Sequence, residues 1–325
     1  MKVVIPAGGL GTRLRPHTLY TPKPLLFVAG DTILGYIFSY LDKLEISEYR
    51  IVCAPETLLP KKMREMYPER HCSFWEQAEP LGLGHAVLQA LKDLQDEPVL
   101  IILSDTIIPF DYRKAILDTE VGTGFLLAKK VDEPRRFGVI ETNEKNWITG
   151  LVEKPEKPLG NLAIAGVYYL PSAKRLNSAL EDIIKRDHKT RGEFQLTDAL
   201  TLLIENGERL RSVIVDEWFD CGTSSSLLEA NRELLKLNSR AIPSKGSTIK
   251  PPCWISSSVI IENSIIGPYV SIGDTVEIQN SIISDSIVNS GAKIHNMIMK
   301  GSIVGINAFL EGKVSALDVG PFSRL

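Results

Sequence analysis

Val99-Leu100-Ile101-Ile102-Leu103-Ser104-Asp105 is the stretch on which the fold turns. Its apolar residues run without alternation, so the segment has no wet face. It reads as a strand covered on both sides, the situation of a parallel sheet's interior. Val3-Val4-Ile5, Ile51-Val52-Cys53 and Phe74-Trp75 are further β-rich runs. Between them Ile33, Ile37, Leu41 and Leu44 recur at helical spacing, as do Ala86, Val87, Ala90, Leu91 and Leu94. Strand, helix, strand in this order predicts crossover units and a mainly parallel sheet flanked by helices, an α/β fold. Beyond about residue 120 the pattern loosens. Strands are expected near 123–129, 137–141, 147–152 and 162–170, helices near 173–186 and 195–206, and Ser224 is expected to cap a helix through Leu237.

A change of composition follows. Ser239 to Gly246 and Lys250-Pro251-Pro252 are rich in residues that neither a helix nor a central strand tolerates. Past them Ile260, Ile266, Ile272 and Ile278 recur every six residues, Val270 and Val276 mark a second column, and Ile283, Val288 and Ile294 continue the first. β-Branched residues at a period of six, with Gly, Ser, Asn and Asp between, predict a parallel β-helix whose short strands each send one side chain inward. An antiparallel sandwich would alternate at period two instead. The expected domains are 1–238, a linker over 239–253, and a β-helix over 254–325. A helix of so few coils should pack against the first domain or another subunit, so a homo-oligomer is expected.

The chain has 325 residues, enough for about two domains. Hydrophobic residues make up 44% and charged residues 24%, which excludes a disordered or fibrous chain. A net charge of −3 argues against a nucleic-acid or anionic-membrane surface. The longest mainly apolar run, Leu162 to Leu170, is far short of the roughly 20 residues a spanning helix needs. The opening residues Met1 to Pro6 do not make a signal peptide. Cys53, Cys72, Cys221 and Cys253 lie far apart with no metal or disulfide spacing. Reduced thiols in a cytoplasmic protein are the expectation.

Directly after the first strand stands Ala7-Gly8-Gly9-Leu10-Gly11-Thr12-Arg13-Leu14-Arg15-Pro16. Glycines at a strand end let backbone N–H groups approach phosphate oxygens. A dinucleotide fingerprint needs a third glycine where Leu14 stands, and a Walker loop needs a Gly-Lys-Ser/Thr that is absent. By itself the cluster is also what a tight strand–helix turn would look like. With its continuation, Thr18-Leu19-Tyr20-Thr21-Pro22-Lys23-Pro24-Leu25-Leu26, the whole string from Gly8 to Leu26 resembles the signature of the sugar-1-phosphate nucleotidylyltransferases. The likeness runs in order to about residue 235, and longer members of that family carry a left-handed β-helix tail.

The resemblance implies a Rossmann-like sheet and a set of site residues. Ala7, Gly8, Gly9, Gly11 and Thr12 would cradle the nucleotide's phosphates. In Glu76-Gln77-Ala78-Glu79-Pro80-Leu81-Gly82-Leu83-Gly84, Gln77 would bond the base edge and Gly82 would let the base lie on backbone. Arg13 and Lys23 would hold the pyrophosphate side. Asp105, and Asp220 in Trp218-Phe219-Asp220-Cys221-Gly222-Thr223, would share a Mg²⁺ ion; each aspartate alone reads as a turn former. Gly138 and Glu153 would meet sugar hydroxyls and Lys154 the sugar phosphate, with Asn161 and Arg191 assisting. The implied partners are an NTP and a sugar 1-phosphate, and the implied products an NDP-sugar and pyrophosphate. Glucose 1-phosphate with dTTP is expected; Leu81-Gly82-Leu83-Gly84-His85-Ala86 leans towards uridylyltransferases, and mannose 1-phosphate with GTP is a further alternative. A non-catalytic relative would be expected to lose Arg13, Lys23, Asp105 or Asp220, all present here. His295, the tail's one histidine, reads as a corner residue rather than an acyltransferase's base.

Overall fold

The computed structural model describes residues 1–158, 160–240 and 246–313. These form two compact units, Met1–Leu26 with Thr32–Gly222, and Phe27–Asp31 with the chain from Thr223 onward.

The first unit is built on a mixed nine-stranded sheet. Its path runs Ile148–Glu153, Gly138–Thr142, Leu162–Leu170, Val99–Ile102, Lys2–Pro6, Glu48–Cys53 and Cys72–Glu76. Gly124–Lys130 also pairs with Leu162–Leu170, and Leu210–Ile214 pairs with Gly124–Lys130. Val99–Ile102 lies in the interior of this order, and each of its residues is at most 1% exposed. Removing such side chains from water contributes roughly 1.5–3 kcal/mol apiece, which is why this run dominates the sequence signal. The four amino-terminal strands are parallel, and Leu162–Leu170 runs antiparallel beside Val99–Ile102. The predicted strands after residue 120 fall within a residue or so of Gly124–Lys130, Gly138–Thr142, Ile148–Glu153 and Leu162–Leu170.

Helices Ile33–Leu41, Leu83–Gln89, Ala173–Lys185 and Leu196–Glu205 follow the expected positions. Ser172 and Thr32 cap two of them, accepting from the amides of Arg175 and Gly35. Leu44 and Leu94 lie beyond their helices because the chain tightens there into single turns, Leu44 N to Leu41 O and Leu94 N to Leu91 O. Among the described residues no helix is long and apolar enough to cross a membrane.

On the strand next to the sheet's Cys72–Glu76 edge, Glu48 accepts from Lys2 (2.9 Å) and from Arg50 Nε (3.0 Å), and Arg50 also pairs with Asp93. Burial pushes the Glu48 carboxyl up, but hydrogen bonds from Ser73, Lys2 and Arg50 outweigh it and hold the group at about 2. A depressed carboxyl stabilises the fold fully above its unfolded value near 4.5 and ceases to as pH falls towards 2. The melting temperature of the protein should therefore drop more steeply between pH 5 and pH 2 than that of Glu48→Gln. Equal slopes in scans of both proteins would refute this.

The second unit carries three sheets of four parallel strands each, stacked as the faces of a β-helix. One inward column is Ile261, Ile278, Ile294 and Leu310; another is Ile255, Ile272, Val288 and Val304. The strict six-residue column therefore misplaces Ile260, which is 56% exposed while Ile261 points inward. Successive coils advance by 17 or 16 residues (Ile261 to Ile278, Ile278 to Ile294) rather than three sixes, so a fixed period drifts off by one.

Helix Ser224–Leu237 belongs to this unit, so the compact boundary at Gly222/Thr223 precedes the expected domain limit at residue 238. Its cap is Thr223, not Ser224: the Thr223 hydroxyl accepts from Ser226 N and the Ser226 hydroxyl accepts from Thr223 N. Asn231 is fully buried on it, accepting from Ala29 N (3.0 Å) and the Ser271 hydroxyl (2.6 Å) and donating to Tyr269 O (3.3 Å). Residues 241–245 of the expected linker and 314–325 of the expected β-helix lie outside the described residues.

Candidate active site

Every element of the site comes from the first unit. Where Lys2–Pro6 ends, Ala7 N still donates to Val52 O (2.6 Å), so that amide is committed to the sheet. The chain then turns through short 3₁₀ segments at Thr12–Leu14, His17–Leu19 and Lys23–Leu25. Gly11 is left-handed (φ 59°), and a Cβ there would stand 2.9 Å from the Thr18 methyl carbon. The Gly11 carbonyl takes both Leu14 N (2.9 Å) and the Thr18 hydroxyl (2.8 Å), and Leu14 is fully buried. The turn is thus anchored from behind. Among the described residues the amides of Gly8, Gly9, Leu10 and Gly11 donate to no backbone carbonyl. They remain available to an anion, while Thr12 and Arg13 stand exposed beside them.

Asp105 follows the most buried strand. Thr106–Ile107 pairs antiparallel with Phe219–Asp220, setting Asp220 opposite Thr106, and Cys221 N donates to Asp105 O (2.9 Å). Two carboxylates far apart in the chain are thereby held together. Lys23 Nζ forms an ion pair with Asp105 Oδ2. Burial and the Asp105 charge push the Asp220 carboxyl up, while Lys23 and Arg13 pull it down. Arg13, Lys23, Asp105 and Asp220 therefore act on one another as one cluster of two acidic and two basic side chains. Among the described residues no group of three or more His, Cys, Asp and Glu is arranged for a metal. A pair of carboxylates suits a hard ion that keeps water and takes its other oxygens from phosphate.

Gly138 and Glu153 are register partners on adjacent strands, and a Cβ on Gly138 would stand 3.1 Å from Glu153 Oε2. Thr197 donates its hydroxyl to the same oxygen (3.3 Å), and Lys154 Nζ lies 3.4 Å from Glu153 Oε1. Lys154 itself is left-handed (φ 44°), with its N bonded to Phe137 O. Arg191, expected to reach phosphate, instead donates to the Lys154 carbonyl (2.7 Å) and so braces that turn. Asn161 is exposed just before its strand, its carbonyl taking Val131 N. Tyr168 is buried, and burial raises its phenol, with the charges of Glu153 and Asp105 raising it further.

On the other flank Gln77 is 8% exposed and its amide nitrogen donates to Gly82 O (3.1 Å). Gly82 (φ 114°) has no room for a side chain because Phe194 O lies 2.6 Å from its Cβ position. Its glycine is thus required by the neighbouring loop, which also pairs Phe194 N with Leu81 O and Gly84 N with Phe194 O.

A family model described as nucleotidyl transferase matches residues 2–237, the span that contains all of these groups. The chain belongs to the nucleotidyl transferase family. It is 30% identical to a glucose-1-phosphate thymidylyltransferase of Streptomyces antibioticus over 99% of this chain and 97% of that protein. It is 29% identical to the low-salt glycan biosynthesis nucleotidyltransferase Agl11 of Haloferax volcanii over 100% and 99%. It is 34% identical to the bifunctional protein GlmU of Methanocaldococcus jannaschii over 82% of this chain and 61% of that one.

Residue patterns alone pass over several groups of this nucleotidyltransferase's site. Thr197 reads as a helix-start residue, and only the fold turns its hydroxyl onto Glu153. Tyr168 reads as strand core. Trp218 reads as one residue of the Trp218–Thr223 motif, and the fold packs it edge-on against Phe137 at 4.9 Å beside the Lys154 turn.

Proposed function

We propose that this nucleotidyltransferase joins an NTP to a sugar 1-phosphate, releasing pyrophosphate and an NDP-sugar, with dTTP and glucose 1-phosphate as the preferred pair. The observation that carries the reading is the convergence of Asp105 and Asp220 beside Lys23 and Arg13 at the mouth of the glycine turn. Both substrates are polyanions that repel each other, so the work of the site is alignment and charge neutralisation. The sugar phosphate is already ionised at neutral pH and attacks the α-phosphorus in line, so no covalent enzyme intermediate is required.

In this reading the amides of Gly8 to Gly11 and Thr12 face the nucleotide phosphates. Arg13 offers a planar fork to the leaving pyrophosphate, and Lys23 a mobile point charge. Asp105 and Asp220 would hold Mg²⁺, which would supply charge stabilisation on the phosphate oxygens. Lys23, paired with Asp105, is within reach to offer its charge to phosphate instead. Gln77 meets the base edge. Glu153, pinned by Thr197 and Gly138, receives sugar hydroxyls, and Lys154 takes the sugar phosphate with Arg191 steadying its backbone. Residues 1–238, which cover the span of the family match, are proposed as the catalytic domain. The β-helix, whose first strand Thr248–Ile249 pairs with Ile265–Ile266 and so lies inside the expected linker 239–253, is proposed to serve assembly into a homo-oligomer.

Pyrophosphate release with dTTP, UTP, GTP, ATP and CTP against glucose and mannose 1-phosphates tests the reading. dTTP with glucose 1-phosphate should give the highest kcat/KM; no release with any pair would refute it. UTP is the second reading, because the Leu81–Ala86 segment has the uridylyltransferase form. Lys154→Ala should raise KM for the sugar phosphate about tenfold while changing KM for the NTP little, the loss expected of one hydrogen bond to a charged group. Equal changes in both constants would take Lys154 out of the sugar-phosphate subsite.

A further inference from the structure

The imidazole of His85 sits on the helix Leu83–Gln89 and points one ring nitrogen, Nδ1, at the Gln77 amide nitrogen (3.1 Å). That same amide nitrogen donates to the Gly82 carbonyl, which can only accept, so turning the amide over would set oxygen against oxygen there. With nitrogen on that side, Gln77 Oε1 faces the glycine turn, 3.0 Å from where a Cβ on Gly8 would stand. Nδ1 must then be the ring's lone-pair acceptor, and Nε2 carries the hydrogen.

Gln89 approaches from the other end, its amide 3.0 Å from His85 Nε2. A neutral ring has one acceptor only, and the Gly82 carbonyl assigns it to Gln77. Gln89 also donates to the His85 carbonyl (3.1 Å) and accepts from exposed Lys92. It is only half-buried, so water can replace both bonds and its amide can turn its oxygen to the Nε2–H, whereas buried Gln77 has no such substitute. Burial and the charge of Lys92 lower the His85 pKa, while the Glu79 backbone and carboxylate act against them. These keep the ring neutral and its Nδ1 lone pair in place at neutral pH.

We propose that His85 is a positioning residue for base selection: its Nδ1 holds the Gln77 amide so that Oε1, an acceptor, meets the nucleotide. The inference rests on Gln77 facing the base, as proposed above. An acceptor at that point matches bases whose ring nitrogen carries hydrogen on the Watson–Crick edge, namely thymine and uracil at N3 and guanine at N1. Cytosine N3 and adenine N1 are lone pairs and meet Oε1 with repulsion. Without His85 the amide is held by the Gly82 carbonyl alone, so turning it over to donate to those bases through its nitrogen costs one hydrogen bond less.

The test compares kcat/KM for the best of dTTP, UTP and GTP with that for CTP and ATP, using glucose 1-phosphate or whichever sugar phosphate is used best. His85→Leu should lower this selectivity roughly tenfold, about one neutral hydrogen bond, through KM of the NTP rather than kcat. His85→Asn, whose carboxamide oxygen can stand where Nδ1 does, should restore most of it. Wild-type selectivity in His85→Leu overturns the proposal, as does a wild-type preference for CTP or ATP. If His85→Leu fails to fold, loss of selectivity in His85→Gln with retention in His85→Asn supports the positioning role instead, and equal selectivity in the two overturns it. Gln77→Leu separates the underlying reading: if selectivity survives in it, base contact by Gln77 is wrong and the His85 role falls with it. If Gln77→Leu loses selectivity while His85→Leu keeps it, only the positioning role falls.

Discussion

Replacing Asp105 with asparagine is expected to lower turnover by about 10³-fold or more, since the charge stabilisation a bound metal supplies amounts to several kcal/mol. The substitution is nearly isosteric. The Asp105 carbonyl that takes Cys221 N is untouched, so the short ladder carrying Asp220 should survive. Asparagine can still meet Lys23 but brings no charge to share a cation with Asp220. Burial and the Asp105 charge push the Asp220 carboxyl up, so losing the neighbouring charge should bring it back towards its ordinary value. Two readouts follow: pyrophosphate release at saturating substrates, and the concentration of Mg²⁺ giving half-maximal rate. Asp220→Asn should behave alike. A variant at 105 that keeps more than a tenth of the turnover with an unshifted metal requirement would remove the paired-carboxylate site, and with it the proposed reaction.

Arg13→Ala should slow turnover by roughly 10²–10³, the usual loss for one preorganised donor aimed at developing charge. Arg13 lies on a 3₁₀ turn that is anchored by others: Leu14 is buried beneath it, and Gly11 is bonded to Thr18 and Leu14. Its side chain is exposed, so the melting temperature should stay within a degree or two of the parent, as surface substitutions usually cost less than about 0.5 kcal/mol. Arg13→Lys should recover part of the rate, because the charge returns without the fork. Near wild-type turnover in Arg13→Ala would assign the pyrophosphate side to Lys23 and the backbone amides alone. A large fall in melting temperature with the rate would mean that Arg13 supports the turn rather than the reaction.

Some of this was open to reading from residues in order. An apolar run such as Val99–Ile102 admits one environment, because a strand without a polar face must be covered twice, and the structure places it inside the sheet. The glycine turn was open to reading because backbone that approaches an anion needs residues without side chains at fixed steps. The coil repeat was also visible, but its phase at Ile260 was not, since a coil's length depends on how tightly each corner closes. Ser224 and Thr223 show the same limit at a helix start, where neighbouring hydroxyls compete for one amide and only backbone dihedrals decide.

Other features were decided by tertiary structure alone. Nothing local in Asp220 says that it opposes Thr106; strand register between distant segments does. Gly82 resembles an open platform in sequence, yet Phe194 fills the space, and Arg191 spends its fork on a carbonyl. Residue order determined the periodicities, hence which segments are strands, turns and coils, because those follow from burial along one stretch of chain. Only folding decided which charges, amides and hydroxyls face each other, because such contacts depend on how separate segments pair across a sheet.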